Sequence, residues 1–346
     1  MRALAAVVAG LLLLAATPAA AAGQKSFGDW MAVCDNLNTC VAFAFPEAYG
    51  DGAWLRLERT GEPGAQVTLV IAIQAEEAPG AGGGPWTITV DGQQVIGRVT
   101  LTPVEDDTGY WRAEISLSSA HEVAAAIREG ASLTVTRKGR EPVVLPLKGA
   151  AATMIWIDEQ QGRIGSPTAL SRAPGAPSAI MVPATPVIRA GPAVSQASLP
   201  TVVPASVMAV IGACEEPETA AGEALIARLA PGVVLYAPVC SQGAYNRIHY
   251  LAIADEAGRG ARPLRLPQAP GSTEATTTEA WNLHYDPASH TLLAFAKGRG
   301  LGDCGSEDQW VWDGAAFQLL VTRVMGDCRG VPFDDWPTLY RAVVKP

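Results

Sequence analysis

Apolar residues in this chain fall mostly into short runs closed off by glycine, proline or aspartate, the spacing of β-strands rather than of long helices. In the first half the runs are Trp30–Cys34, Cys40–Phe45, Ala53–Arg59, Val67–Ile73, Trp86–Val90, Tyr110–Leu117, Ser132–Arg137 and Pro142–Leu147. Asp91-Gly92 predicts a tight hairpin turn after Trp86–Val90, and Ala81-Gly82-Gly83-Gly84-Pro85 a flexible loop. Two stretches carry helical spacing instead. One, capped by Ser118 or Ser119, runs through His121–Arg128 and stops at Gly130; the other covers Ala150–Gln160. Many short strands with few helices predict a β-sandwich-like domain.

From Ser166 to Ser206 the pattern dissolves into eight prolines, no acidic residue, and mostly Ala, Val, Ser and Gly between them. That composition predicts an extended, semi-rigid linker whose scattered Val and Ile can dock as irregular strands. Beyond it, Leu225, Ile226 and Leu229, with Pro231-Gly232 behind them, predict one amphipathic helix over Pro217–Ala230. Candidate strands then come at Val233–Pro238, Arg247–Ala254, Trp281–Tyr285, Thr291–Ala296, Gln309–Trp312 and Phe317–Met325, with turns at Asp286-Pro287-Ala288 and Asp313-Gly314. The expected fold is mainly β with a few helices. A β-sandwich-like domain spans 23–165, a Pro/Ala-rich linker 166–206, and an antiparallel β-meander domain with one leading helix 207–346.

Residues 1–22 read as a cleaved export signal. Arg2 is followed by the apolar stretch Leu4–Ala16, a break at Pro18, and the small-residue site Ala20-Ala21-Ala22. That stretch falls short of the roughly 20 residues a membrane-spanning helix needs, and no later segment reaches it. The formal charge of −9 argues against a nucleic-acid partner, whose phosphates require a basic face. Six cysteines then sharpen the picture. They lie as three neighbouring couples, Cys34 with Cys40, Cys214 with Cys240, and Cys304 with Cys328, in a chain read as exported. Six cysteines allow fifteen pairings, and the local one is the simplest. The pattern implies an oxidising compartment and three structural staples, with no C-x-x-C redox motif.

Several stretches together carry a resemblance. They are Phe27-Gly28-Asp29-Trp30, Cys34-Asp35-Asn36, Cys40 and Gln161-Gly162-Arg163, then Phe295 to Gly305, Trp310-Val311-Trp312-Asp313-Gly314, Cys328-Arg329-Gly330 and Trp336-Pro337. The chain resembles the exported proteobacterial family called domain of unknown function eleven-seventy-six, over essentially the whole mature chain. Its opening is also similar to the invasion-associated locus B family, over the first unit alone. The first resemblance implies a Gram-negative periplasm; neither implies an activity or catalytic residues.

Candidate chemistry is thin. His121-Glu122 opens a helix as in a zinc protease, but the second histidine's place holds Ala125. His249, His284 and His290 lack a metal-ligand spacing, so ordinary strand histidines are the expectation. Gly300-Leu301-Gly302-Asp303-Cys304-Gly305 spells a dinucleotide fingerprint, yet the next element is a strand at Gln309–Trp312 where that site needs a helix. Arg299, Asp303, Glu307 and Asp308 lack the alternating acids of a calcium loop. No G-x-S-x-G elbow is present, and the acid runs Glu105-Asp106-Asp107 and Glu215-Glu216 read as solvated turns. Trp310 and Trp312 share a strand face, most simply for core packing, with sugar stacking as the sharper alternative.

What remains is an exported periplasmic protein, or alternatively a secreted one, read as a non-enzymatic binding module of the cell envelope without a cofactor. Its partner is expected to be an envelope protein or glycan. Arg299, Asp303 and Arg329 are the candidate contact residues, on loops that a Cys304–Cys328 bridge would bring together. The alternatives are an envelope glycan or peptide hydrolase using acids such as Asp303 and Asp334, and a secreted enzyme inhibitor presenting a protruding loop.

Overall fold

The computed structural model describes residues 22–47, 52–74, 85–103, 110–115, 117–172, 174–176, 180–212, 214, 217 and 223–345. The export signal up to residue 21, the loop at 81–84, both acid runs and residues 218–222 of the expected helix lie outside what it describes. The first helix already begins at Leu117, so Ser118 and Ser119 lie within it and neither stands at the cap position before it.

The first half is a sandwich-like pair of antiparallel sheets. Seven strands lie in the order Gly23–Phe27, Trp30–Cys34, Cys40–Ala44, Ala53–Arg59, Thr68–Gln74, Tyr110–Ile115 and Thr102–Pro103. Four more lie in the order Val143–Pro146, Ser132–Thr136, Trp86–Val90 and Gln93–Val99. Leu55, Leu57, Leu69 and Ile71 of the larger sheet meet Ile88, Leu133 and Val135 of the smaller one in a single core. The helices Leu117–Glu129 and Ala150–Gln160 contribute Val123, Ile127, Met154 and Ile157 to it. Asp91-Gly92 is the expected hairpin turn, with both residues at positive φ (49° and 77°), as a two-residue loop matched to strand twist requires. The strand Gln93–Val99 that it introduces is not among those the sequence pattern predicts.

Trp30–Cys34 and Cys40–Ala44 are buried at every position, not at alternate ones. A sheet that faced water on one side would alternate. Here Met31, Val33, Phe43, Trp54 and Val70, on the face turned away from the sandwich core, pack against Cys304, Met325, Val331 and Trp336 near the C-terminus. The two halves therefore share a core. Asp35 and Arg341 form an ion pair of 2.6 Å across the same seam, and Asn36 exchanges hydrogen bonds of 2.9 and 2.8 Å with the Arg341 backbone.

The second half is a meander. Its largest sheet runs His284–Asp286, Thr291–Lys297, Gly305–Trp312, Phe317–Met325, Thr338–Arg341. Beside it lie the four-stranded sheet that begins Leu225–Ala230, Val233–Ala237 and a three-stranded sheet of Val239–Gln242, Arg247–Tyr250 and Glu279–Trp281. Trp310 and Trp312 fill the core between these layers, while Val311 faces a smaller cluster with Ile188 and Ala342. The two tryptophans are thus packing residues.

One element differs from expectation. Residues Leu225–Ala230 form a strand, not the end of a helix over Pro217–Ala230, and pair with Val233–Ala237. Ala227 and Leu229 enter the main core on one face, while Ile226 packs beside Val203 and Val207 on the other. A strand covered on both faces loses its alternation, and its apolar run then matches helical spacing equally well. Pro231-Gly232, read as a helix stop, is the hairpin turn, with Gly232 at φ 71° in the position that wants positive φ. Among the described residues of this region the helix lies earlier, at Ala205–Ile211. Arg247–Ala254 divides into two strands of different sheets, and Trp281–Tyr285 is broken at Asn282, which sits at φ 48°.

The Pro/Ala-rich segment is docked where described. Val187–Arg189 pairs in parallel with Val343–Lys345, Gly191 N–H donates to Trp312 O at 2.8 Å, and Asn38 Nδ2 donates to Met181 O at 2.9 Å.

Candidate functional site

All three cysteine couples are bonded locally, Cys34 to Cys40, Cys214 to Cys240 and Cys304 to Cys328. The last bridge lies at the seam and organises the glycine-rich block. That block is the loop of a β-hairpin, since Lys297 pairs with Gly305 across strands Thr291–Lys297 and Gly305–Trp312. The glycines lead into a strand and not a helix, which is not the context of a dinucleotide site. Gly298 N–H donates to Cys304 O at 2.8 Å, closing the loop. Gly305 sits at φ 131°, and a Cβ there would stand 1.9 Å from Ala296 O, so no other residue fits this corner.

Arg299 and Asp303 are brought together, and Arg329 is placed next to them. Arg299 donates from Nε at 2.7 Å and from Nη2 at 2.5 Å to the two oxygens of Asp303, a fork on a carboxylate. Asp303 Oδ2 also accepts the Gly330 N–H at 2.7 Å, which fastens the hairpin tip to the loop after Cys328. Burial acts to raise the Asp303 pKa, but the Arg299 hydrogen bond, the Gly330 N–H and the guanidinium charge outweigh it and hold the carboxyl below its ordinary value. Asp303 is thus an ionised acceptor within a clamp. Arg329 Nη1 donates to Pro46 O at 3.3 Å, reaching across the seam into the first half. Asp334, the other acid of the hydrolase reading, is exposed on the single 3-10 turn Phe333–Asp335.

The clamp presents two side chains that were not among the candidates from sequence. Leu301 at the tip is 80% exposed, and Tyr245 beside it is 42% exposed. Tyr245 OH donates to Gly298 O at 3.3 Å, and Asn246 brackets Lys297 with bonds of 2.9 and 3.1 Å. A rigid, cross-braced loop thus holds an aliphatic side chain in water. The signal was present: Leu301 is the one aliphatic residue between Lys297 and Gly305, flanked by glycine on both sides. Tyr245 carried no such signal, because only the fold brings it to Gly300.

The remaining candidates are dispersed. His121 is exposed on its helix and His284 on its strand. His290 is buried, its Nδ1 2.9 Å from Tyr285 OH, and desolvation first, then Asp286, pushes that phenol up to about 12. Among the described residues no group of three His, Cys, Asp or Glu could hold a metal ion. Glu307 pairs with Arg323 at 2.7 Å.

Asp308 is different. It shares a strand face with Trp310 and Trp312 by simple alternation, and its hydrogen-bond donor is Thr322 Oγ1 at 2.6 Å. Burial pushes its pKa up to about 6, the Thr322 bond opposing and Glu307 adding to the rise. The charged form therefore costs folding free energy above pH 6, and the cost is relieved as pH falls from 6 towards 4 and the folded state takes up the proton first. Asp308→Asn keeps an acceptor for Thr322. It is expected to stabilise the protein by about 1–3 kcal/mol at pH 7.5 and by almost nothing near pH 4, in paired urea titrations. A gain of equal size at both pH values, or a loss at pH 7.5, contradicts this account.

Comparison with known proteins places this geometry in a family context. A family model described as "Protein of unknown function (DUF1176)" matches residues 24–343. "Uncharacterized protein YpfG" of Escherichia coli (strain K12) is 29% identical over 347 residues, covering 93% of each chain. The crystal structure of invasion associated protein B from Bartonella henselae is similar at 13% identity and a TM-score of 0.31, over 40% of this chain and 97% of that one.

Proposed function

This chain belongs to the family described as protein of unknown function (DUF1176), and we propose that it is an exported periplasmic binding module whose contact point is the pinned tip at Leu301. The observation that carries this reading is the 80% exposure of Leu301 on a loop braced by a disulfide, an Arg–Asp fork and Tyr245. An apolar side chain held rigidly in water loses little entropy on entering a partner's pocket, which is how anchor residues act. Arg299, Asp303 and Arg329 shape the loop in this reading, and Leu301 and Tyr245 touch the partner. Three disulfides support an oxidising compartment, and no helix among the described residues is long and apolar enough to cross a membrane.

A quantitative pull-down tests it. Mature protein with intact disulfides is mixed with the envelope extract of its own organism, beside a Leu301→Ser variant. The expected result is a stoichiometric partner from the first sample, reduced at least about tenfold in the second. Equal capture by both, or capture by neither, overturns the assignment of the contact to Leu301. The same protruding tip also suits an inhibitor that inserts into a foreign active site. In that case the captured protein is a hydrolase whose activity falls on adding this chain and recovers with Leu301→Ser.

A further inference from the structure

The docked Pro/Ala-rich segment forms one wall of a cleft of about 670 Å³, through its strand Val187–Arg189. That volume lies within the usual range for ligand pockets of roughly 300–1,000 Å³. The opposite wall is the tip of the hairpin between Gly305–Trp312 and Phe317–Met325, which contributes Ala315 and Gln318. Leu319, Tyr340 and Pro267 give the cleft an apolar lining. The hairpin tip is held firmly. Asp313 Oδ1 accepts the Ala315 and Ala316 N–H groups, both at 2.8 Å, and Gln318 Nε2 donates to Asp313 Oδ2 at 2.8 Å.

The strand wall has an open edge. Val187–Arg189 pairs in parallel with Val343–Lys345 alone, in a two-stranded sheet, and the Val343 N–H donates to Pro186 O at 2.9 Å. Backbone groups alternate sides along a strand, so Pro186 and Ile188 face that partner, and Val187 and Arg189 face the other way. Gly191 follows in the same alternation, and its N–H donates to Trp312 O at 2.8 Å, which shuts one end of the cleft. A Cβ on Gly191 would stand 2.8 Å from the Gly314 nitrogen, so glycine is needed for this closure. Between that closed end and Pro186, no backbone group among the described residues pairs with Val187 or Arg189 on this side. Val187 is 50% exposed, so the edge is not covered by packing either. An uncovered row of strand donors and acceptors is a template for another extended chain.

We propose that this cleft receives an extended peptide segment, which adds as a strand to the Val187–Arg189 edge and lodges one apolar side chain against Leu319 and Tyr340. Donors and acceptors at strand spacing match a peptide main chain, and an acyl chain leaves them unsatisfied. The charged lining residues are one cation, Arg189, and one anion, Asp313, so the cleft favours neither sign and selects an uncharged side chain. Affinity then comes from the main chain, and recognition is tolerant of sequence apart from the one residue inside the cleft.

The probe is a pentapeptide of threonines with leucine at its centre, acetylated and amidated at its ends, titrated calorimetrically into the full mature chain with its disulfides intact. It is expected to bind at millimolar concentration or below, and a central aspartate to weaken it at least about tenfold. N-methylation of successive peptide amides is expected to alternate between a loss of at least about fivefold and little change, because only every second amide faces the edge. In amide exchange, the Val187 and Arg189 N–H groups are expected to be fast in the free protein and slowed by the peptide. Val187→Pro removes one open donor, leaves the bonds to Val343–Lys345 in place, and is expected to weaken the peptide at least about fivefold. Ala315→Arg fills the cleft from an exposed position and is expected to abolish binding with an unchanged Tm, which keeps the test intact should Val187→Pro not fold. No binding at millimolar concentration, equal binding of the aspartate peptide, a uniform effect of N-methylation, or full affinity in Ala315→Arg overturns the proposal. A dimer that Ala315→Arg dissolves, or binding of chitotriose in place of the peptide, also overturns it and gives the cleft to a second copy or to a glycan. Leu301→Ser leaves peptide binding intact, so this cleft and the pinned tip stand or fall separately.

Discussion

Asp158→Ala is expected to destabilise the first half by about 3–5 kcal/mol, the cost of leaving a buried charge without its partner. Asp158 is fully buried, and its Oδ1 accepts from Arg59, which is 2% exposed. Arg59 spends its other donors on Gln161 Oε1 at 2.6 Å and Thr168 O at 2.9 Å. Arg163, also buried, donates to Thr168 Oγ1 at 2.9 Å and to backbone carbonyls of Glu62 and Pro63. The cluster thus holds two guanidinium groups around one carboxylate. Burial already pulls the pKa of Arg59 below its ordinary value, with the Asp158 hydrogen bond and charge opposing. Removing the carboxylate also orphans the Leu170 and Ser171 N–H groups, which it accepts at 3.1 and 2.7 Å. Urea unfolding gives the number directly. A loss below about 1 kcal/mol means that the two arginines are solvated and that the cluster is not the anchor of the Gln161-Gly162-Arg163 segment.

The second large effect is at the seam. Cys304→Ser/Cys328→Ser opens a loop of sequence separation 24 and is expected to cost about 3.5 kcal/mol from loop-closure entropy. Cys304 is 1% exposed within the cluster formed by Met31, Phe43, Trp54 and Trp336, so the replacement also puts a hydroxyl into the shared core. The damage therefore reaches both halves: the loop loses its pin, and the outer face of the seven-stranded sheet loses part of its cover. Unfolding followed by tryptophan fluorescence checks this. Loss of stability with a single cooperative transition fits a shared core, whereas early melting of the second half alone contradicts it.

The strands of the first half were legible because their ends are marked by turn chemistry. Asp91-Gly92 and the boundaries of Ala53–Arg59 and Ala150–Gln160 fall where the sequence puts them. The cysteine pairing followed from proximity in a chain of three short loops. What the sequence hid is what depends on covering both faces. Leu225–Ala230 lost its alternation because Val203 and Val207 pack behind it, and Trp30–Cys34 looked like an ordinary strand although its second face is buried by residues near position 330. The clamp between Arg299 and Asp303 was foreseen as a neighbourhood, since both flank one glycine-rich loop. Its outcome was not, because the two charges satisfy each other and leave an aliphatic residue as the exposed feature. The cleft at Tyr340 joins residues from 186 to 340, and no local pattern carries that information.

Site-specific photo-crosslinking in the living envelope reads out directly whether position 301 touches a partner. A photoreactive residue is placed at position 301 and, as a control, at Val144, which is 49% exposed on a strand of the smaller sheet. One discrete adduct is expected from position 301 and none of that size from position 144. No adduct at 301, or the same adducts at both positions, contradicts that contact.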